Sequence, residues 1–382
     1  MNQPAKRWPV RIERRMRWDV IETPDLFAPD STQLLRYGRP DARRRFVVVD
    51  ANVLALHGDR IRAWFRHHNL NARIVECPAG EARKNPQTWL HLARRLDEFP
   101  IHRRAEPVIA IGGGVLTDVV GFLAATYRRG IPHIKVPTTL MGYIDAALGI
   151  KNGISFNGRK NRLGSFEPPL AVLLDSRFLA TQSRRHLLDG VAEILKLATV
   201  CDAALFEQLE KHGPACVNNH FSGPRGAGIL NRAIDGMLAE LVPNMYEDRL
   251  ARAVDFGHTF SYGLETRHPR RLLHGEAVLL DMLVSVAVAQ RRNLLSAAGA
   301  ERFFSLAEQL DMQPDLALLD ADLMWQSLLD RVEHRDGRQN VPLPDAIGRC
   351  VFVNDIRRRE LADVIPVLRS RMDTNNEPAL EY

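Results

Sequence analysis

Two histidines, His258 in "DFGHTFSYGLE" (255–265) and His274 in "LLHGEAV" (272–278), sit in short, polar, glycine-flanked settings. Neutral imidazole is the commonest protein ligand for zinc, and two rings need a further donor. "DGVAEILK" (189–196) offers one. It places Glu193 and Lys196 three apart on one helical face, among Ile194, Leu195 and Leu197. Glu193, His258 and His274 would form a Glu–His–His site with positions left open to substrate oxygens, as catalytic zinc requires. The alternative is a surface ion pair and two hydrogen-bonded histidines, because the three residues lack tight local spacing.

A second group of residues suits anions. "AIGGGVLTD" (110–118) ends an apolar run and opens a helical one, so Gly113 and Gly114 would let backbone N–H groups approach a phosphate. It is not GxGxxG, and a tight strand-to-helix turn with positive φ is the alternative. Asp50 in "VVVDANV" ends a strand where a carboxylate can take ribose hydroxyls, and Thr138 and Thr139 in "VPTTL" end another. Ligands of open α/β sheets collect at such ends. "GIKNGISFNGRKNRLGSF" (149–166) reads as a glycine-rich loop carrying Lys151, Lys160, Asn161 and Arg162, either an anion site or a solvated basic loop.

These residues need a scaffold. "RFVVVD", "ARIVECP", "EPVIAIGGG" and "HIKVPTT" are strand-like runs. "GDRIRAWFRHH", "NPQTWLHLARRLDEF" and "VLTDVVGFLAATY" between them have helical spacing, the second capped by Asn85 with Pro86 at its first position. Such alternation predicts an α/β fold: a Rossmann-like, mostly parallel sheet with helices on both faces, over 45–182. Residues 183–372 are expected to form a mainly α-helical second domain, with a late strand at "CVFVN". Residues 1–44 read as an N-terminal arm with one strand near "MRWDVIE". Residues 373–382 read as a flexible tail.

Composition narrows the class. A chain of 382 residues can hold two full cores, and no stretch approaches the roughly 20 apolar residues of a membrane span. The N-terminus lacks an apolar signal core, which points to the cytoplasm. Cys77, Cys201, Cys216 and Cys350 form no CxxC pair, which argues against a disulfide framework. The net charge of +6 suits an enzyme of anionic small molecules better than a nucleic-acid binder, since no nucleic-acid motif accompanies the arginines.

Taken in order, "PAGEARK", "GGGVLTDVVGFLAATYRRG", "VPTTLMGYIDAALGIK", "GRKNRLGSF", "GVAEILK", "FGHTF" and "HGEAV" resemble the motifs of the sugar phosphate cyclases, the dehydroquinate synthase-like family, from about Val47 to Asp355. The resemblance implies NAD held by Asp50, Asn52, Glu81, Lys84, Gly113, Gly114, Asp118, Thr138, Thr139, Lys160, Phe178 and Thr181. It implies Zn2+ (or Co2+) on Glu193, His258 and His274. Asp145, Lys151, Asn161 and Lys196 match substrate-contacting positions. Arg129 matches an arginine that enters the partner subunit's site, so a homodimer is implied. The implied reaction has five parts: transient oxidation of a hydroxyl by NAD, phosphate elimination, reduction, ring opening and intramolecular aldol closure.

Departures from the dehydroquinate synthases point to one branch of the family. Met237 and Ala251 stand where those enzymes carry cations for a substrate carboxylate, and Asp255 replaces an asparagine. A buried carboxylate left unpaired costs several kcal/mol. Asp255 would repel an acid further, so the expected substrate has a phosphate and no carboxylate. "DFGHTF", "HGEAV" and "HRDG" resemble the 2-epi-5-epi-valiolone synthases, which cyclise sedoheptulose 7-phosphate. In that reading Asp255 and His334 contact substrate hydroxyls. Ser155 and Tyr262 depart from the pattern of this branch. The other readings are a 2-epi-valiolone synthase, a 3-dehydroquinate synthase and a metal-dependent polyol dehydrogenase.

Overall fold

The computed structural model describes residues 5–375, apart from the side chains of His334 and 372–375. Within it the run "RRFVVVD" becomes β2 of a six-stranded sheet. The strands are β1 (Asp19–Glu22), β2 (Arg44–Asp50), β3 (Asn71–Cys77), β4 (Val108–Gly112), β5 (His133–Pro137) and, later in the chain, β8 (Ala171–Leu174). Their order is β1-β8-β5-β4-β2-β3, all parallel. Parallel strands need crossovers, and helices α1 (Ala51–His67), α2 (Pro86–Asp97) and α3 (Gly114–Thr126) supply them. Period-two alternation divides the central strands. Val47, Val49, Ile109 and Ile111 pack with Trp64 and Phe65 on one face, whereas Phe46, Val48, Val108 and Ala110 pack with Leu92, Leu96, Val119 and Leu123 on the other.

From β2 the chain steps to β3 on one side, and from β4 to β5 and β8 on the other. The strand order reverses between β2 and β4, where open sheets form their ligand crevice. The helix read at "GDRIRAWFRHH" begins seven residues earlier, at Ala51, because Asp50 caps it by accepting from Asn52 N and Val53 N.

Three expectations need correction. The segment 149–166 is not a loop. It folds into an antiparallel hairpin of β6 (Lys151–Phe156) and β7 (Arg159–Phe166). Asn157 and Gly158, with φ of 50° and 72°, make the two-residue turn whose twist suits a hairpin. The stretch 1–44 is more than an arm: β1 joins the sheet beside β8, and Leu26, Phe27 and Leu34 are buried. At the other end, the last helix runs into the stretch read as a tail, as far as Asn375. The rest of that tail lies outside the described residues.

The second half is built from α4 (Arg184–Val200), α5 (Ala203–Asn218), α6 (Gly223–Leu241), α7 (Ser261–Arg267), α8 (His274–Arg291), α9 (Ala297–Gln309) and α10 (Ala321–His334). A two-stranded ribbon of β9 (Val341–Ala346) and β10 (Arg349–Val353) follows, then α11 (Arg358–Asn375). α4 is buried on all sides from Gly190 to Val200, and α8 is nearly so. A helix without a polar face lies in the centre of its domain. No helix among the described residues is long and apolar enough to cross a membrane.

Candidate active site

Burial of α4 carries Glu193 and Lys196 into the interior, at 0% and 2% exposure. A buried carboxylate must be compensated. Lys196 Nζ pairs with Glu193 Oε2 and lies 4.0 Å from Asp145 Oδ2. Glu193 Oε1 is left without a hydrogen-bond partner. It faces His258 Nε2 at 3.7 Å and His274 Nε2 at 3.5 Å, and the two nitrogens are 3.3 Å apart. Tetrahedral zinc with bonds of about 2.0–2.1 Å sets its ligands roughly 3.3 Å apart. The triangle therefore fits the ion that the sequence implied.

The outer partners fit as well. His274 Nδ1 donates to Glu265 Oε1 at 2.9 Å, and His258 Nδ1 donates to the Phe256 carbonyl at 3.2 Å. With both Nδ1 atoms protonated, both Nε2 lone pairs point at the gap. Burial, then Lys196, pushes His258 down to about 3, so its ring is neutral near pH 7. Burial works against charge on Glu193, but Lys196, His258 and His274 outweigh it and hold the carboxylate well below its usual range.

Backbone packing sets this spacing. α8 crosses α4 so closely that a Cβ on Gly275 would lie 2.1 Å from the Asp189 carbonyl oxygen. Asp189 Oδ1 in turn accepts from Gly275 N at 2.5 Å, fixing the first turn of α8 where His274 sits. Gly275→Ala is expected to push the helices apart, destabilise the protein by about 1–3 kcal/mol and weaken zinc binding at least tenfold. Thermal denaturation and chelator competition check the two effects.

Asp145 lies on a π-type turn over Gly142–Ala146, closed by Ala147 N donating to Gly142 O. Such turns recur at functional sites. Burial pushes its carboxyl up, against the pull of Lys196. Burial also opposes charge on Lys196, but Glu193 and Asp145 more than restore it, so the ammonium stays protonated.

The residues matched to NAD gather at the carboxyl ends of the strands: Asp50 after β2, Glu81 and Lys84 beyond β3, Gly113 and Gly114 after β4, Thr138 and Thr139 after β5, Phe178 and Thr181 beyond β8. Lys84 Nζ binds Asp118 Oδ2 at 2.6 Å. Thr181 Oγ1 lies 3.1 Å from His57 Nε2, whose ring meets Phe178 edge-on. Asn52 is exposed beside the Asp50 cap. Positive φ is not what Gly113 supplies, since its φ is −72°. Its Cβ would instead stand 3.1 Å from Thr139 Cγ2, so close approach is the reason for a glycine.

Lys160 and Asn161 lie on β7, with Asn161 at φ 54°. The hairpin register slips between Ile154 and Phe156, and Ser155 N donates to Lys84 O instead of to β7. Lys151 Nζ binds Glu247 Oε1 at 2.9 Å. Arg129, at φ 61°, sits beyond the far end of α3, roughly 20 Å along the helix from Gly114, and does not join this chain's own site. His334 closes α10, and its side chain lies outside the described residues.

Asp255 corrects an expectation. It is not a free acid that repels anions. Oδ1 accepts from Arg252 at 2.5 Å, and Oδ2 from Arg335 at 2.6 Å, with Arg331 at 3.3 Å. Burial opposes its charge, but Arg331, Arg252 and Arg335 hold the carboxyl far below its usual range. Arg331 in the last turn of α10 and Arg335 at its C-cap are four apart, a spacing visible in the sequence. Their target 80 residues earlier was not. Sequence reasoning also missed Glu247, Glu265 and Asp281. Asp281 is a lone acid in the apolar run of α8, and its Oδ2 accepts from Phe260 N and from Ser261 N to start α7.

A parallel sheet whose strand ends face a buried Glu–His–His triangle on a helical domain is the dehydroquinate synthase-like architecture. Profiles for the N-terminal and C-terminal parts of 3-dehydroquinate synthase match residues 74–189 and 190–336. The chain is 46% identical to the 2-epi-5-epi-valiolone synthase of Streptomyces albus over 93% of this chain and 88% of that protein. It is 47% identical to the enzyme of that name from Actinoplanes sp., over 93% and 91%. The solved structure of ValA, the 2-epi-5-epi-valiolone synthase of Streptomyces hygroscopicus subsp. jinggangensis with NAD+ and Zn2+ bound, aligns with a TM-score of 0.91 at 40% identity, over 95% and 100%. The chain belongs to the dehydroquinate synthase-like family of sugar phosphate cyclases.

Proposed function

We propose that this protein is a phosphate-eliminating cyclase that converts sedoheptulose 7-phosphate into 2-epi-5-epi-valiolone, with NAD and zinc as its cofactors. The observation that carries the proposal is the Glu193–His258–His274 triangle, with ligand spacing and outer partners suited to zinc, in a chain so like enzymes of that activity. Met237 is packed in the apolar core and Ala251 carries no charge, so neither position supplies the cation that a substrate carboxylate would need there.

When bound, zinc polarises a substrate oxygen as a Lewis acid, and NAD supplies reversible oxidation at the neighbouring carbon. The chain's own groups do the rest. Lys196, buried and cationic between Glu193 and Asp145, stabilises negative charge that develops on a substrate oxygen. Asp145, its carboxyl pushed up by burial against the pull of Lys196, is placed to exchange a proton with the substrate. Lys151 and Asn161, at either side of the hairpin, bind the phosphate until it leaves. Asp255 holds Arg252, Arg331 and Arg335 in place, and in this reading Asp255 and His334 are the residues that contact substrate hydroxyls. Arg129 completes the partner's site in a homodimer.

Incubation with sedoheptulose 7-phosphate, NAD+ and zinc tests the reading. The expected result is stoichiometric release of inorganic phosphate without build-up of NADH, and NMR of the product shows the C7 cyclitol. Accumulation of NADH would favour a polyol dehydrogenase instead. Sedimentation of the purified protein tests the dimer.

A further inference from the structure

We propose that Glu265, with Tyr262 one helical turn before it, is a positioning residue that couples the metal triangle to the dinucleotide cleft, so that zinc and NAD+ bind cooperatively. The inference rests on the reading that this chain binds both.

The two oxygens of Glu265 face different halves of the molecule. Oε1 accepts from His274 Nδ1 at 2.9 Å, on the side of the metal triangle, and Oε2 pairs with Lys160 Nζ on the hairpin. Lys160 Nζ also lies 3.7 Å from Glu81 Oε1, beyond the end of β3. An unbroken chain of polar contacts therefore runs Glu81–Lys160–Glu265–His274, from the mouth of the sheet to the metal triangle. Glu265 is 6% exposed, so water competes little for either oxygen.

Tyr262 explains a departure that the family pattern left without a role. Its hydroxyl accepts from the backbone N–H of the same Lys160 at 3.2 Å. One turn of α7 thus grips Lys160 twice, by its backbone and by its ammonium. The hairpin's other flank is fastened to the dinucleotide side, where Ser155 N donates to Lys84 O at 2.8 Å and Lys84 binds Asp118. The hairpin is a strap between the two cofactor sites, and α7 is its buckle.

The sign follows from what must be ordered. A metal on Nε2 of His274 requires the proton on Nδ1, aimed at Glu265. Fixing Glu265 in that pose fixes Lys160 and the hairpin at the mouth of the crevice. The second ligand then meets a segment already ordered and loses less entropy on binding. Linkage makes the effect reciprocal: zinc tightens NAD+ and NAD+ tightens zinc by one factor.

The test is calorimetric titration of NAD+ into full-length protein, once freed of metal by chelation and once saturated with zinc. In the unsubstituted protein zinc is expected to tighten NAD+ by about fivefold or more, the low end of ordinary coupling. Glu265→Gln presents an amide that cannot accept on both sides, and its ratio is expected to fall to within about twofold of unity. Tyr262→Phe keeps the ring and removes one acceptor, and its ratio is expected to fall between the two. Circular dichroism checks that each variant is folded; should Glu265→Gln not fold, Tyr262→Phe decides alone. An unsubstituted ratio of one, or variants whose ratio matches it, would overturn the coupling while leaving the cofactor assignment standing. Failure of the unsubstituted protein to bind either ligand would bring down the cofactor assignment as well.

Discussion

His258→Ala is expected to lower phosphate release from sedoheptulose 7-phosphate by at least about a thousandfold, with the fold intact. The ring is neutral at working pH, so its loss strands no charge and the stability cost is that of a small cavity. The functional cost is larger. Loss of one of three ligands removes Lewis-acid stabilisation worth several kcal/mol at the transition state, and about 4 kcal/mol is a thousandfold in rate. Phosphate release, zinc content and far-UV circular dichroism measure the three quantities. Wild-type phosphate release from a zinc-free variant would remove the metal from the reading. Lys196→Ala should lose turnover to a similar degree and retain zinc, because Glu193 keeps the oxygen that faces the histidines.

Asp255→Ala behaves in the opposite way, with its largest effect on stability. The carboxylate is 5% exposed and holds three guanidiniums together. Without it, Arg335, itself 4% exposed, faces Arg331 and Arg252 across a buried gap. Removal of one partner from a buried ionic cluster costs about 3–5 kcal/mol. Chemical denaturation at pH 7 should show a loss of that size.

Acid titration carries a sign that can be checked. The folded carboxyl of Asp255 is depressed relative to the unfolded value of about 3.9. Its contribution is fully present above about pH 4 and disappears as pH falls through the folded value. Glu265, held down to about 2 by His274 and Lys160 against the opposition of burial, adds a loss between about pH 4 and 2. The stability gap between the unsubstituted protein and Asp255→Asn should therefore stay constant from pH 7 to about 5 and narrow below 4. A gap that widened on acidification would contradict the assignment.

Much of the architecture could be read from local pattern. The apolar run ending at Asp50, the Asn85–Pro86 helix start and the periodicity of α4 and α8 each follow from neighbours in sequence. Residue types alone nominated Glu193, His258 and His274, but only motif resemblance chose the metal site over an ion pair, since nothing local ties a carboxylate on α4 to histidines 65 and 81 residues later. Non-local pairing defeated the rest. The hairpin was mistaken for a loop because its glycines and charges outweighed the Asn157–Gly158 turn signal. Asp255 was read as repelling anions because two of its three arginine partners, Arg331 and Arg335, come from about 80 residues farther along the chain. Tyr262 seemed an anomaly until the backbone of Lys160 was found against its hydroxyl.

The pairing of β1 with β8 bears on how the chain is made. Asp19–Glu22 is synthesised well before its strand partner among the described residues, Ala171–Leu174, which follows about 150 residues later. Until then the first strand has nowhere to dock, and loops of that span close slowly. A protein shortened by its first two dozen residues would leave β8, apolar throughout, as a bare margin open to another chain. β1 guards that margin as a strand of four residues with an acid at each end, a poor template for aggregation.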